Sequence, residues 1–86
     1  MKIILHKDFE KKYFKLSVFH KEKFKERRNL FIDNPFHPIL KNHPLHGKYK
    51  GYFSINITAD LRAIYKLLGS DTAFFINIDT HSNLYK

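Results

Sequence analysis

The apolar residues of this 86-residue chain change their spacing once, and that change limits the fold more than any other feature. Up to Asp33 they recur every three or four positions, and from Tyr52 onward every second position. The first spacing belongs to a helix with one buried face, the second to a strand buried on one side. Between them, residues 36–47 read FHPILKNHPLHG, with Pro38 and Pro44 inside and Gly47 at the close, so no regular element runs through them. Helices come first and strands follow, which is an α+β order.

Residues 2–5, KIIL, form a short apolar strand candidate. From His6 the pattern turns helical, with Phe9, Tyr13 and Leu16 on one stripe between lysines. Ser17 is placed to cap a second helix over residues 18–33, which gathers Phe24, Arg28 and Phe31 on one side with Leu30 and Ile32 near them. Asn34-Pro35 ends it, because a residue before proline avoids the helical region. In residues 52–58, Phe53, Ile55 and Ile57 face opposite to Tyr52, Ser54, Asn56 and Thr58. In residues 59–68, Leu61, Ala63, Tyr65 and Leu67 oppose Asp60, Arg62, Ile64 and Lys66. Gly69-Ser70-Asp71 turns into a last strand, residues 72–79, where strict alternation puts Phe74, Ile76 and Ile78 on one face. The expectation is one α+β domain over residues 1–86. Its two N-terminal amphipathic helices pack on one face of a small, largely antiparallel four-stranded sheet. The other face is polar and partly covered, with Asn56, Arg62, Asn77, Asp79 and, by continued parity, His81 on it.

A chain of this size buries only roughly 60–65% of its unfolded surface. Nine Phe and five Tyr supply the core, since each buried ring removes about 150–250 Å² from water. There is no cysteine, so no disulfide framework and no thiolate metal site is available. No apolar run approaches a membrane span, and MKIILHKDFE lacks a signal-peptide layout, so a soluble cytoplasmic protein is expected. The charge is lopsided: residues 1–50 hold 13 basic and five acidic side chains, while residues 51–86 hold three of each. Such a field suits a polyanion, either nucleic acid or an acidic protein segment, although a solvated helix surface has the same composition.

The histidines separate by position. His6, at a helix start, and His20, on a lysine-rich helix, read as solvated, and His37 in the proline-rich loop reads as structural. His43 and His46 have a spacing that suits one helical face, but Pro44 between them and the lack of a third ligand argue against zinc. Cleavage of an RNA phosphodiester by its own 2′-hydroxyl needs a base, an acid and a cation for the phosphorane charge. Histidine serves either proton transfer, and arginine's fork matches phosphate oxygens. His43, Asp60, Arg62 and His81 match that inventory if the fold gathers them, with Tyr52 or Tyr85 stacking on a base and lysines tracking the backbone. Equally, Asp60 could close a turn with Ala59, and Arg62 could pair with Asp79 across strands.

Read as one string, residues 34–86 resemble the RelE/ParE superfamily of bacterial type II toxins, and within it the YafQ-type branch of mRNA interferases. The resemblance rests on HPLHGKYKGY, on the D-x-R-x-I-Y-K strand (Asp60, Arg62, Ile64, Tyr65, Lys66) and on the terminal T-H-S-x-L-Y; the two helices match only in pattern. It implies a toxin that enters the ribosomal A site and cuts mRNA without a metal or other cofactor. It also implies a cognate acidic antitoxin as partner, with the ribosome and mRNA as targets and no membrane. His43 matches the histidine of the H-P-L-x-G motif, Asp60 the third-strand aspartate and His81 the terminal histidine. Asn56 stands where the YafQ pattern has a further histidine, so that position cannot transfer a proton. On this resemblance His43, Asp60, Arg62 and His81 are catalytic. Lys48, Lys50, Tyr52, Asn56, Tyr85 and Lys86 contact RNA. The superfamily also contains ParE-like toxins that bind DNA gyrase without catalysis, and an inactive relative is the third alternative.

Overall fold

The computed structural model describes residues 1–85. Strand β1 (Lys2–Leu5) leads into helix α1 (Lys7–Phe14), with the His6 ring nitrogen Nδ1 accepting from the Asp8 amide at 3.0 Å as the helix cap. Ser17 caps α2 (Val18–Asp33) as its side chain predicts, its Oγ accepting from the His20 amide at 3.1 Å. Asn34 ends α2 in extended backbone ahead of Pro35. Two 3-10 turns, Pro38–Leu40 and Gly47–Tyr49, flank the two-residue strand β2 (His43–Pro44). Strands β3 (Phe53–Asn56), β4 (Leu61–Leu68) and β5 (Thr72–Thr80) form a meander, and a short helix α3 (His81–Leu84) follows. Gly69 holds φ +70° in the β4–β5 turn, a conformation that an L side chain would strain.

The sheet differs from expectation. It has five strands in the order β1-β5-β4-β3-β2, with β1 parallel to β5 and every other pair antiparallel. Strand β2 is too short to show a period, and pairs His43 with Ser54 and Pro44 with Phe53 across the turn that follows it. A third helix, α3, replaces the expected continuation of the last strand. No helix among the described residues is long and apolar enough to cross a membrane.

The helices cover one face. Phe9, Phe24, Phe31, Tyr65 and Phe75 are buried there with Ile55, Ile57, Leu61, Ala63 and Ile78. Phe75 is the hub, with ring centroids 5.8 Å from Phe9, 6.2 Å from Phe24, 5.5 Å from Phe31 and 5.1 Å from Tyr65. Most of these contacts are edge-on, the arrangement that the ring quadrupole favours.

The strict alternation expected for β5 fails at its midpoint. Ile64 pairs with Asn77 but Tyr65 pairs with Phe75, so Ile76 is an extra residue in a β-bulge. Ala73 and Phe75 therefore face the helices before the bulge and Ile78 after it, whereas Phe74 and Ile76 do not join that core. Nor is the second face simply polar. Leu45, Ile64 and Leu84 are buried on it, with Tyr49, Tyr52 and Ile76 packed around them.

The bulged register decides which of two neighbouring phenylalanines is buried, Phe75 and not Phe74. Phe75→Ala should cost about 3–5 kcal/mol, the range for a large ring removed from a full core. Phe74→Ala should cost well under half of that, and urea unfolding of the two variants beside wild type measures the difference. Equal losses, or a larger one for Phe74→Ala, would contradict the bulged register.

Candidate active site

On the face away from the two long helices, the strand register sets out rows. His43, Ser54, Ile64 and Asn77 are successive partners in one row, and Asn56, Arg62 and Asp79 in the next. Rows of one face are about 7 Å apart along a strand. Beyond them lie the β3–β4 turn with Asp60 and the start of α3 with His81.

His43 is exposed, and its Nδ1 lies 2.7 Å from the carbonyl oxygen of Lys41. A carbonyl can only accept, so Nδ1 carries the proton and Nε2 keeps its lone pair. Lys41 itself holds φ +47°, the left-handed region, and is alone in this among the non-glycine residues described. Backbone of this kind costs a non-glycine residue about 1–3 kcal/mol. The adjoining Asn42 clamps the segment, accepting from the Tyr65 hydroxyl at 2.9 Å and donating to the Pro35 carbonyl at 3.0 Å. Burial pushes the Tyr65 phenol's pKa up while the Asn42 bond acts the other way, so the phenol stays a neutral donor.

His81 is positioned from the other side. Its amide donates to the Asp60 carbonyl at 2.8 Å, and Thr80 caps α3 by accepting from the Asn83 amide at 3.3 Å. Asp79 braces the cap: one carboxylate oxygen accepts from the Thr80 amide at 2.8 Å and Asn83 Nδ2 at 3.0 Å, the other from Lys12 Nζ at 3.2 Å. Leu84, buried against Leu45 and Ile64, pins α3 to the sheet. The helix thereby returns His81 and Tyr85, whose rings are 4.8 Å apart, toward the β2 segment. His43, Pro44, Leu45, His46, His81 and Tyr85 line one cleft of about 380 Å³.

The structure thus brings His43 and His81 to a single cleft and leaves the other candidates around it. Asp60 contributes its carbonyl, while its carboxylate is on an exposed turn. Arg62 Nη1 donates to the carbonyls of Thr58 at 3.1 Å and Ala59 at 2.6 Å. Its register partner Asp79 has Lys12 as its charge partner instead. Asn56 lines a separate hollow of about 200 Å³ with Arg27 and Lys41. Lys48 Nζ is 5.3 Å from the Tyr49 ring centroid, Lys50 is exposed, and Tyr52 lies 6.4 Å from Tyr49. Lys86 lies outside the described residues. Sequence reasoning weighed His46 only as a zinc ligand, and missed Tyr49, which bridges to Tyr85 at 6.4 Å. The alternation of basic and aromatic residues in HGKYKGY was the available signal. Among the described residues, no group of three or more His, Cys, Asp or Glu is placed to hold a metal ion.

No protein-family model and no curated protein matches the chain. Solved structures do. YafQ from E. coli is 28% identical and superposes with a TM-score of 0.81 over 99% of this chain and 98% of its own. A YoeB/ParE toxin from Agrobacterium tumefaciens is 27% identical, with a TM-score of 0.77 over 94% of this chain and 99% of its own. The E. coli DinJ-YafQ toxin-antitoxin complex contains a chain 28% identical, with a TM-score of 0.78 over 99% of this chain and 97% of that one.

The brace under α3 predicts a pH dependence. Burial acts to raise the Asp79 pKa, but the hydrogen bonds from Asn83, Thr80 and Lys12 together with the Lys12 charge outweigh it and hold the carboxyl below its usual range. A depressed folded pKa means that the stabilisation is complete above the unfolded value, about 3.9, and is lost as pH falls through the folded one. Thermal melts should show Asp79→Asn less stable than wild type at neutral pH, with the gap closing below about pH 4. A gap unchanged in acid would mean that the carboxylate charge is not what the brace uses.

Proposed function

We propose that this chain, a YafQ-like member of the RelE/ParE superfamily of type II toxins, is an endoribonuclease that cuts mRNA on the ribosome and so blocks translation in the cytoplasm. The observation that carries this reading is the cleft shared by His43 and His81, two imidazoles from distant parts of the sequence.

The chemistry follows from the groups on hand. His43, with its Nδ1 proton held on the Lys41 carbonyl, offers Nε2 as the base that takes the 2′-hydroxyl proton. The 2′-oxygen then bonds to phosphorus, and the bond to the 5′-oxygen breaks. His81, as the imidazolium, gives its proton to that leaving oxygen, so the products are a 2′,3′-cyclic phosphate and a 5′-hydroxyl. Asp60 acts through the carbonyl that fixes the start of α3, a positioning role. Arg62 has Nη1 committed to two carbonyls, which leaves Nε and Nη2 as donors for phosphate oxygens in the adjoining row. Asn56 supplies hydrogen bonds only, so the two proton transfers fall to His43 and His81. Lys48, Lys50, Tyr52 and Tyr85 line the approach for an RNA strand.

A translation reaction on a defined mRNA, with 5′ ends mapped by primer extension, tests this reading. Cuts should require ribosomes and fall by about 10²–10⁴-fold in His43→Ala and in His81→Ala. Intact mRNA together with growth arrest that survives His81→Ala would instead indicate a non-catalytic toxin, such as one acting on DNA gyrase.

The partner is a cognate acidic antitoxin. Its counterpart surface is the helical side, where Phe14, Val18 and Phe19 are exposed while Lys21 and Lys23 lie over the Phe14 and Phe19 rings at 6.0 Å and 5.9 Å. Apolar anchors ringed by cations suit a segment that is both acidic and apolar and folds as it binds. Stopped-flow association with the antitoxin should slow by about tenfold or more from low to high salt. A salt-independent rate would remove charge steering from this account.

A further inference from the structure

A second cleft of about 380 Å³ opens on the same face, lined by His6, Asp8, Tyr52, Lys66, Phe74 and Ile76. Apart from Tyr52, the reaction above has no use for these residues. Lys66 Nζ lies 6.0 Å from the Tyr52 ring centroid and 5.9 Å from that of Phe74, so one ammonium group stands over two rings. Among the described residues Lys66 makes no salt bridge. The His6 ring flanks Phe74 at 5.6 Å, tilted by 51°, and with Nδ1 spent on the α1 cap its Nε2 is left for another partner. Phe74 and Ile76 reach this cleft because of the β5 bulge; in the alternation expected from sequence they belong to the core.

The two clefts are joined by rings. His81 contacts Tyr85, Tyr85 contacts Tyr49 at 6.4 Å, and Tyr49 contacts Tyr52 at 6.4 Å, where the second cleft begins. Aromatic faces hold successive bases whatever their sequence, and a cation set among them meets the phosphates between.

We propose that the second cleft is a distal nucleotide subsite for single-stranded RNA, holding a base against Tyr52 and Phe74 and its phosphate on Lys66. The inference rests on RNA being the substrate of the His43–His81 cleft. The site's composition argues for a nucleotide: an acidic peptide would use the single cation and leave both rings idle. Asp8, its carboxylate 3.7 Å from His6 Nδ1, repels phosphate from the His6 end and accepts a hydrogen bond from a base amino group. A strand seated in both clefts has its register fixed relative to the bond being cut, so the subsite contributes affinity and positioning and no proton transfer.

Titration of isotope-labelled protein with 2′-O-methyl RNA, which has no attacking hydroxyl, tests this by amide NMR shifts. A dinucleotide should shift amides around Leu45, His46 and Tyr85 alone, and an octanucleotide should shift those of His6, Lys66 and Phe74 as well. Lys66→Gln, its fold checked by its own spectrum, should bind the octanucleotide about three- to tenfold more weakly and reduce the salt slope of log affinity by about 0.7, one phosphate contact. Its dinucleotide affinity should be unchanged. An octanucleotide that shifts only the first cleft, or a Lys66→Gln protein equal to wild type in affinity and slope, would overturn the subsite and leave the nuclease reading standing. Failure of wild type to bind the octanucleotide at all would likewise overturn the subsite, while the nuclease reading, which needs the ribosome, stands or falls on the primer-extension assay.

Discussion

One extra residue, Ile76, governs what each face of the sheet can do. Under strict alternation, keeping Ile78 in the core would bring Phe74 and Ile76 there in place of Phe75, and keeping Phe75 there would bury a carboxamide and a carboxylate, Asn77 and Asp79, beside the aromatic hub. Burying such groups without full compensation is among the costlier errors a small domain can make. The bulge switches the parity between Phe75 and Asn77, so Ile78 takes the core position and Asp79 is freed to bind Lys12, Thr80 and Asn83. The same switch delivers Phe74 and Ile76 to the opposite face, where a second cleft forms around them. Core, brace and outer surface are therefore consequences of one local irregularity.

The outer face shows how a chain with little core can still build a defined site. Three buried residues, Leu45, Ile64 and Leu84, fasten the β2 segment and α3 to the sheet. Neither segment is long enough to hold its own shape, since β2 has two residues and α3 four. Held from beneath by that small cluster, each presents a histidine to the shared cleft. The groups that orient them are backbone carbonyls, of Lys41 for the His43 ring and of Asp60 for the His81 amide. Such partners do not titrate and are placed by the fold itself, which suits the proton transfers proposed for these two histidines.

The basic charge divides between two surfaces of different character. On the helical side, lysines surround exposed Phe14, Val18 and Phe19, a mixture that fits a folding protein segment. On the sheet side fewer cations are present, and Lys48 and Lys66 are set over aromatic rings, a mixture that fits a nucleic-acid strand. Net charge alone could not distinguish these uses, because both of the proposed partners are anionic.

Much of the fold was legible in the residues. The change of spacing at residues 34–51, the Ser17 cap and the Asn34-Pro35 stop placed both long helices and the meander, because each is a local preference carried by adjacent side chains. Aromatic content identified the core material, and the motifs in residues 43–52 and 80–85 pointed to His43 and His81. The parallel seating of β1 on β5, the two-residue β2 and the bulge were not legible, because each depends on a strand that is remote in sequence. The turn of the C-terminus into α3 had a signal in Thr80 as a cap and Leu84 as an apolar anchor, but the alternation before it read as a continuing strand. By itself, then, the sequence determined the elements and the chemistry available, through local periodicity and residue type. Only the tertiary structure decided which reactive groups share a cleft, because that depends on strand register and on Leu84 closing over Leu45 and Ile64.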